Sequence, residues 1–333
     1  MLFRSPAPDA PSFVALDRLT GEVIWTDNSP GKNILHAQWA SPSYGVFKGI
    51  PQVIFPGGDG WLYSFDPKGD GKGGSKLLWK FDGNLKTSIY RLNGATRGHF
   101  IAFPAIYDGL VYIATGEDPT HGDGPGNLWC IDPLRRIDGS DVSSELAVDI
   151  NGTVIPPKRK QAVDLSLGER AIPNPDSAVV WHYVGSNPKE FEKTFHRSLS
   201  TPVIKDDVLY TTDFSGLVHC VDAETGKAYW IYDLLAANWS SPLLVDGKVY
   251  IADEDGDIAI FRHTENPRFA MKSTQVADNR IQFVPLDSVW DGELINEIKI
   301  GSAIYTTPIV ANNVLYIATR STLYAIEETP VAK

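Results

Sequence analysis

Three histidines stand at nearly one distance ahead of a proline. His36 lies six residues before Pro42, His99 five before Pro104 and His196 six before Pro202. Imidazoles supplied by separate segments can build a zinc-type site, or make polar contacts to a small ligand or peptide. The segments preceding five such prolines read H-A-Q-W-A-S-P, R-G-H-F-I-A-F-P, H-R-S-L-S-T-P, N-W-S-S-P and I-Y-T-T-P. They add Gln38, Trp39, Arg97, Arg197, Asn238, Trp239 and Tyr305 to the three histidines. Guanidinium, amide and aromatic groups mixed with imidazole suit recognition better than metal ligation. The simpler use of each is to cap a neighbouring backbone group.

Acidic, glycine-rich turns raise calcium as a second chemistry. They are D-P-K-G-D-G-K-G-G-S at 66–75, G-E-D-P-T-H-G-D-G-P-G at 116–126 and D-E-D-G-D at 253–257. Asp253, Asp255 and Asp257 offer clustered carboxylates, which calcium prefers. However, D-F-S-G occupies the corresponding place at 213–216 as a plain turn, and no stretch ends in the glutamate an EF-hand loop needs. Turn chemistry is the better reading. Cys130 and Cys220 are the only cysteines, in W-C-I-D and H-C-V-D. Two cysteines exclude a disulfide framework and a cysteine-based zinc site. Their shared context, matched by A-L-D at 15–17, reads as a small buried residue at one strand position.

What must position these residues is a repeat. From Pro202 the chain runs T-P-V-I-K-D-D, V-L-Y-T-T-D-F-S-G, L-V-H-C-V-D-A-E-T-G and K-A-Y-W-I-Y-D. These are four apolar runs closed by turn signals, the pattern of four antiparallel strands, A to D. The next unit begins at Pro242, 40 residues on, which is the length of a propeller blade. Strand A recurs at 40–44, 102–107, 200–204, 240–244 and 306–310. Strand D carries Trp25, Trp79, Trp181 and Trp230, with Ile298 expected in that place in the fifth unit. A long segment, 133–178, reads as an excursion between strands C and D, and Lys189–Arg197 as a short helix. The first unit supplies C and D alone, and the last only A to C.

One phrase is repeated almost intact: D-R-L-T-G-E-V-I-W at Asp17–Trp25 and D-A-E-T-G-K-A-Y-W at Asp222–Trp230. Asp17 and Asp222 can accept hydrogen bonds from backbone two residues on, with Thr20 and Thr225 in the same turn. Gly21 and Gly226 can supply a positive φ that closes the hairpin. The tryptophan then fills the wedge between blades. This D-x-x-T-G-x-x-x-W phrase resembles the tryptophan-docking repeat of the PQQ-like β-propellers, related in form to WD40 and YVTN propellers. That family is usually eight-bladed and includes quinoprotein alcohol dehydrogenases and the non-catalytic BamB-like outer-membrane assembly proteins. The resemblance implies an all-β propeller of four-stranded antiparallel blades, about five of them here, as one domain over 1–333 whose first blades are missing.

Composition limits function further. The net charge is −11 and no basic run exceeds Lys158–Arg159–Lys160, so a nucleic-acid partner is not expected. No apolar run reaches the roughly 18–20 residues of a membrane span. The start, M-L-F-R-S-P-A-P, has no secretory-signal core. The expected function is a non-catalytic, BamB-like binding or assembly scaffold, and the resemblance implies a periplasmic or envelope location. Its partners would be envelope proteins, a small ligand or a peptide, met at the ring of connections. The alternative is a PQQ- and calcium-dependent dehydrogenase. The vicinal cysteine pair of many such enzymes is absent, and no catalytic or cofactor residue maps onto a motif, so no cofactor is expected. Carbohydrate binding through surface tryptophans is a third possibility.

Overall fold

The computed structural model describes residues 2–4, 9–91, 93–117, 124–267 and 296–327, with three two-residue strands between 275 and 290. The chain forms two compact units, Met1–His182 and Tyr183–Lys333. In the first, β1 (Leu2–Arg4), β2 (Phe13–Leu16) and β3 (Val23–Asp27) make an antiparallel sheet. β4 (Ser43–Phe47), β5 (Ile50–Pro56), β6 (Trp61–Phe65) and β7 (Leu77–Asp82) make a full blade. β8 (Ala105–Tyr107), β9 (Leu110–Ala114) and β10 (Leu128–Ile131) make the next, closed after the excursion strands β11 (Ser140–Asp141), β12 (Glu145–Val148) and β13 (Arg170–Pro173) by β14 (Val179–Tyr183).

In the second unit the blades are β15 (Val203–Lys205), β16 (Val208–Thr212), β17 (Leu217–Asp222) and β18 (Ala228–Asp233), then β19 (Leu243–Val245), β20 (Lys248–Ala252) and β21 (Asp257–Arg262). β22 (Gln275–Val276), β23 (Arg280–Ile281) and β24 (Val289–Trp290) precede β25 (Asn296–Lys299), which pairs with β21 as its fourth strand. β26 (Ile309–Ala311), β27 (Val314–Ala318) and β28 (Leu323–Glu327) end the described chain. These are the four-stranded antiparallel blades of a β-propeller.

Local chemistry sets the register. Each A-to-B hairpin turns on two consecutive residues of positive φ: Lys48–Gly49, Asp108–Gly109, Asp206–Asp207, Asp246–Gly247 and Asn312–Asn313. Two left-handed residues match the twist of the flanking strands, and Asp, Asn and Gly tolerate them best. In the C-to-D turns Asp17 Oδ1 accepts from the N–H groups of Leu19 and Thr20 at 2.8 and 2.9 Å. Asp222 Oδ1 accepts from Glu224 and Thr225, both at 2.9 Å. Gly21 and Gly226 have φ of +77° and +72°, and the register shifts at Ala15/Leu16 and Cys220/Val221.

Three tryptophans of strand D, Trp25, Trp79 and Trp230, are docked on the following blade. Trp25 packs with Phe13, Phe55 and Phe65 and donates from Nε1 to Pro67 O at 3.0 Å. Trp230 packs against Val249 and Phe261 and donates to Thr264 O at 3.4 Å. For Trp79 the bond is relayed: its Nε1 donates to Gln52 Oε1 at 2.8 Å, and Gln52 Nε2 donates to Pro133 O at 3.0 Å. Burying an aromatic body while satisfying its single N–H is what makes tryptophan suit this wedge.

Beside each of these tryptophans the following blade lays down an extra segment in parallel. Thr26 bridges Gly74, Lys80 pairs with Asp141, and Ile231 pairs with Val289. In every case the partner is the residue just after the docked tryptophan. The excursion at 133–178 is therefore structured: β11 extends the preceding blade, and β12 and β13 form a ribbon of their own.

Three expectations are corrected. The first unit has a B-position strand as well, since β1 pairs with β2. The segment 189–197 contains only a short 3-10 turn, Phe191–Lys193. Asn187 and Pro188 precede it, and bonds such as Asn187 N–H to Lys193 O and Thr194 Oγ1 to Glu190 O close a turn in place of an α-helical run. In the fifth unit Ile298 pairs with Ile258, while the residue opposite Ile260, where the others place tryptophan, is Asn296.

Candidate functional site

The connections from strand D to the next strand A hold the residues of interest, and each unit has its own group. In the first unit Gln38 is buried and tied to backbone: its Nε2 donates to Ser12 O and its Oε1 accepts from Gly58 N–H. His36 is exposed, with its ring 6.3 Å from Trp39 and 6.4 Å from His99. Trp39 is 49% exposed. His99 is fully buried, its backbone bonds Gly116 in both directions, and its Nδ1 lies 3.5 Å from Glu117 Oε1.

Arg97 is drawn inward to a charged cluster that the sequence reading passed over. Its Nη2 donates to Asp82 Oδ1 and Oδ2 at 3.1 and 3.0 Å, and Nη1 to Ser88 Oγ at 3.3 Å. Lys86 Nζ donates to Asp82 Oδ2 at 2.9 Å and stands 4.3 Å above the Trp61 ring. Asn84 adds two donors to Asp82 Oδ1. All three charged side chains are buried. Burial works to raise the Asp82 carboxyl, but the Arg97 and Lys86 charges outweigh it and hold the group below the usual carboxylate range. A cavity of about 350 Å³ opens beside this cluster, under the 133–178 excursion.

In the second unit a hydrogen-bonded chain runs through buried groups. His196 Nδ1 lies 3.0 Å and His219 Nε2 3.2 Å from Asp213 Oδ2, and His219 Nδ1 lies 3.0 Å from Tyr183 Oη. Burial opposes ionisation of Asp213, yet the two histidine hydrogen bonds keep its carboxyl low. Arg197 presents its carbonyl to Phe214 N–H. Asn238 donates to Ala252 O and accepts from Thr212 Oγ1, both at 2.7 Å. Trp239 sits edge-on between Phe214 and Tyr305, at 5.2 and 5.3 Å. Glu254 fixes it, accepting from Trp239 Nε1 at 3.0 Å and from Tyr305 Oη at 3.4 Å.

The ten connection residues thus divide by burial: Gln38, Arg97, His99, His196, Arg197 and Asn238 are buried, whereas His36, Trp39, Trp239 and Tyr305 keep surface toward solvent. The residues missed were Asp82, Lys86, Trp61, Asp213, His219 and Glu254. One signal was present for Asp82: strand D ends in Asp27, Asp82 and Asp233, and each accepts from the N–H two residues on.

The acidic turn at 253–257 is held by its own hydrogen bonds. Asp253 Oδ1 accepts from Gly256 and Asp257 N–H, and Asp257 Oδ2 receives Lys299 Nζ. Burial pushes the Asp253 carboxyl up. The turn at 116–126 lies largely outside the described residues. Among the described residues no three His, Cys, Asp or Glu side chains converge as a metal-ligating group. Nor is any helix among them long and apolar enough to cross a membrane.

The blades and their docked tryptophans define a β-propeller of PQQ-like repeats. Residues 170–265 match the family model described as "Outer membrane protein assembly factor BamB", and this chain carries the PQQ-like propeller repeat. It is 25% identical over 154 residues to the outer membrane protein assembly factor BamB of Shewanella oneidensis. That alignment covers 39% of this chain and 36% of the relative, so the match spans about a third of the relative's length. The fold is similar to the C-terminal WD40 domain of Sif2, with a TM-score of 0.52 at 10% identity, over 94% of this chain and 62% of that one. Sqt1 of Saccharomyces cerevisiae gives a TM-score of 0.51 at 8% identity, covering 96% and 66%.

Proposed function

We propose that this chain is a BamB-like binding scaffold of the cell envelope, which holds partner proteins or a peptide on the aromatic side chains of its D-to-A connections. The observation that carries this reading is made in each unit separately: Trp39 in the first, and Trp239 with Tyr305 in the second. Trp39 and Tyr305 are 49% and 41% exposed, while Trp239 is pre-set by Phe214 and Glu254. Aromatic groups that are rigid before binding lose little entropy on contact and dominate protein interfaces. The resemblance to an assembly factor supports the same class of function. The carboxylate and amide beside these rings, Glu254 and Gln38, are engaged in internal hydrogen bonds, which suits a rigid platform better than a reaction centre.

The test is affinity capture from envelope extracts with the parent chain, with Trp39→Ala and with Trp239→Ala/Tyr305→Ala. Loss of the same captured proteins in the variants, with folding intact, supports the scaffold. Capture unaffected by both variants removes these connections as the docking surface. Incubation with PQQ and calcium is the companion measurement. A quinone absorbance with dye-linked alcohol oxidation would replace the scaffold with an enzyme.

A further inference from the structure

The cavity of about 350 Å³ beside Asp82 belongs to the first unit alone. One wall is charged: Lys86, Arg97 and Asp82, with Trp61 behind them and Lys80 on strand β7. The other wall is the excursion, whose Ala147, Val154, Ile155, Pro156, Pro157 and Ala162 are apolar. Val154 is 57% exposed, so the cavity opens to solvent past this rim.

Hydrogen-bond accounting shows what is wanted there. Asp82 accepts from Asn84, Arg97 and Lys86, so its two oxygens are saturated. Arg97 Nε is buried and makes no hydrogen bond. Lys86 Nζ has three N–H groups and one acceptor, Asp82 Oδ2. Lys86 and Arg97 share Asp82, Arg97 also acts on the buried Asp59, and Asp141 and Lys158 line the cavity too. The other acidic groups at hand are already engaged: Asp141 accepts from Ser143, Glu145 from the Lys86 N–H, and Glu169 from Lys158. Lys80 lies 5.4 Å over Trp61 and makes no ion pair among the described residues. Buried donors without acceptors are costly to leave so, and the imbalance is one of missing acceptors.

We propose that this cavity binds a small organic carboxylate with a compact apolar body, its carboxylate received by Lys86 and Lys80 beside the Arg97 charge and its body lying on the proline-rich rim. The volume is at the small end of ligand pockets. A carboxylate meeting guanidinium and ammonium in a water-poor site makes the stronger, charge-assisted kind of hydrogen bond. The inference stands apart from the scaffold reading, because none of the exposed aromatic connection residues lines the cavity.

The experiment is calorimetric titration of the full chain with benzoate, acetate and inorganic phosphate, in low salt, with Trp fluorescence followed in parallel. Saturable one-to-one benzoate binding is expected, at least tenfold tighter than acetate. Lys80→Met, at a half-buried residue without an ion pair, should weaken benzoate three- to tenfold with the fold intact. Lys86→Met should abolish it; should that variant fail to fold, the Lys80→Met and probe comparisons decide. Absence of saturable benzoate binding, or binding indifferent to Lys80→Met, would overturn the proposal. Phosphate bound as tightly as benzoate would overturn the carboxylate assignment.

Discussion

The indole N–H of Trp25 donates to the carbonyl of Pro67, 42 residues further on, at 3.0 Å. The same bond is made by Trp230 to Thr264, and by Trp79 to Pro133 through the side chain of Gln52. One repeated hydrogen bond thus ties three blades to the turn of the next, and the aromatic body beside it fills the gap.

Removing the bond and removing the body should be separable. Trp25→Phe keeps most of the packing and should cost about 1 kcal/mol, the worth of one hydrogen bond. Trp25→Ala should cost about 3–5 kcal/mol, as a large core truncation does. Gln52→Leu should cost about 2–3 kcal/mol, because it strands the Trp79 N–H, the Pro133 carbonyl and Ser64 Oγ together. Urea unfolding of the three variants gives the order directly.

The two copies of the hairpin phrase differ in depth. Asp222 also accepts from Tyr229 Oη at 2.9 Å, whereas Asp17 bonds only its own turn. Asp222→Ala is expected to lose about 1–2 kcal/mol and Asp17→Ala less. Gly226→Ala, forced to hold φ near +72°, should lose about 1 kcal/mol or more. Equal losses at the two aspartates in thermal melts would contradict this difference.

Two groups, the buried Asp59 and the half-buried His182, push the pH profile in opposite directions. Burial raises the Asp59 carboxyl to about 6, against the hydrogen bond from Tyr63. Its folded value exceeds the unfolded one, so it takes a proton more readily when folded and favours the folded state as pH falls from 7 to 4. The full effect of a rise from 3.8 to about 6 is on the order of 3 kcal/mol. Burial lowers His182 to about 4, where it stacks on Trp129 at 3.7 Å. That histidine resists protonation when folded and costs stability as pH falls from 6.5 through 4. Asp59→Asn should therefore stabilise the protein at pH 8 relative to parent, and His182→Gln should flatten the loss in acid. Chemical unfolding from pH 4 to 8 checks both signs.

The cysteines should be chemically silent. Both are fully buried, and burial pushes the Cys130 thiol up to about 12 and Cys220 well above its usual value. The thiolate is the reactive form. Reaction with an aromatic disulfide reagent should be undetectable over hours in buffer and stoichiometric, two thiols per chain, in denaturant. Rapid modification of either in buffer would contradict their placement.

Asp17, Gly21 and Trp25 were legible because their roles are local or periodic: a carboxylate two residues from an amide, a glycine at a positive φ, an aromatic at a fixed distance. Gln52 was not legible, because nothing in Q-V-I-F marks it as the relay between Trp79 and Pro133. The parallel pairing of Lys80 with Asp141 was hidden too, since 133–178 carries no repeat signal.

The sequence by itself determined the all-β character, the blade period, the hairpin turns and the docked tryptophans, since these depend on residues close together or repeated at one spacing. Only the tertiary structure decided which way each connection residue turns. Arg97 goes inward because Asp82, fifteen residues back, awaits a cation in a buried place. Trp39 stays outward, its ring edge-on to the exposed His36 and half in water. Burial and charge balance belong to the assembled surroundings of a side chain, and a linear chain does not write them down.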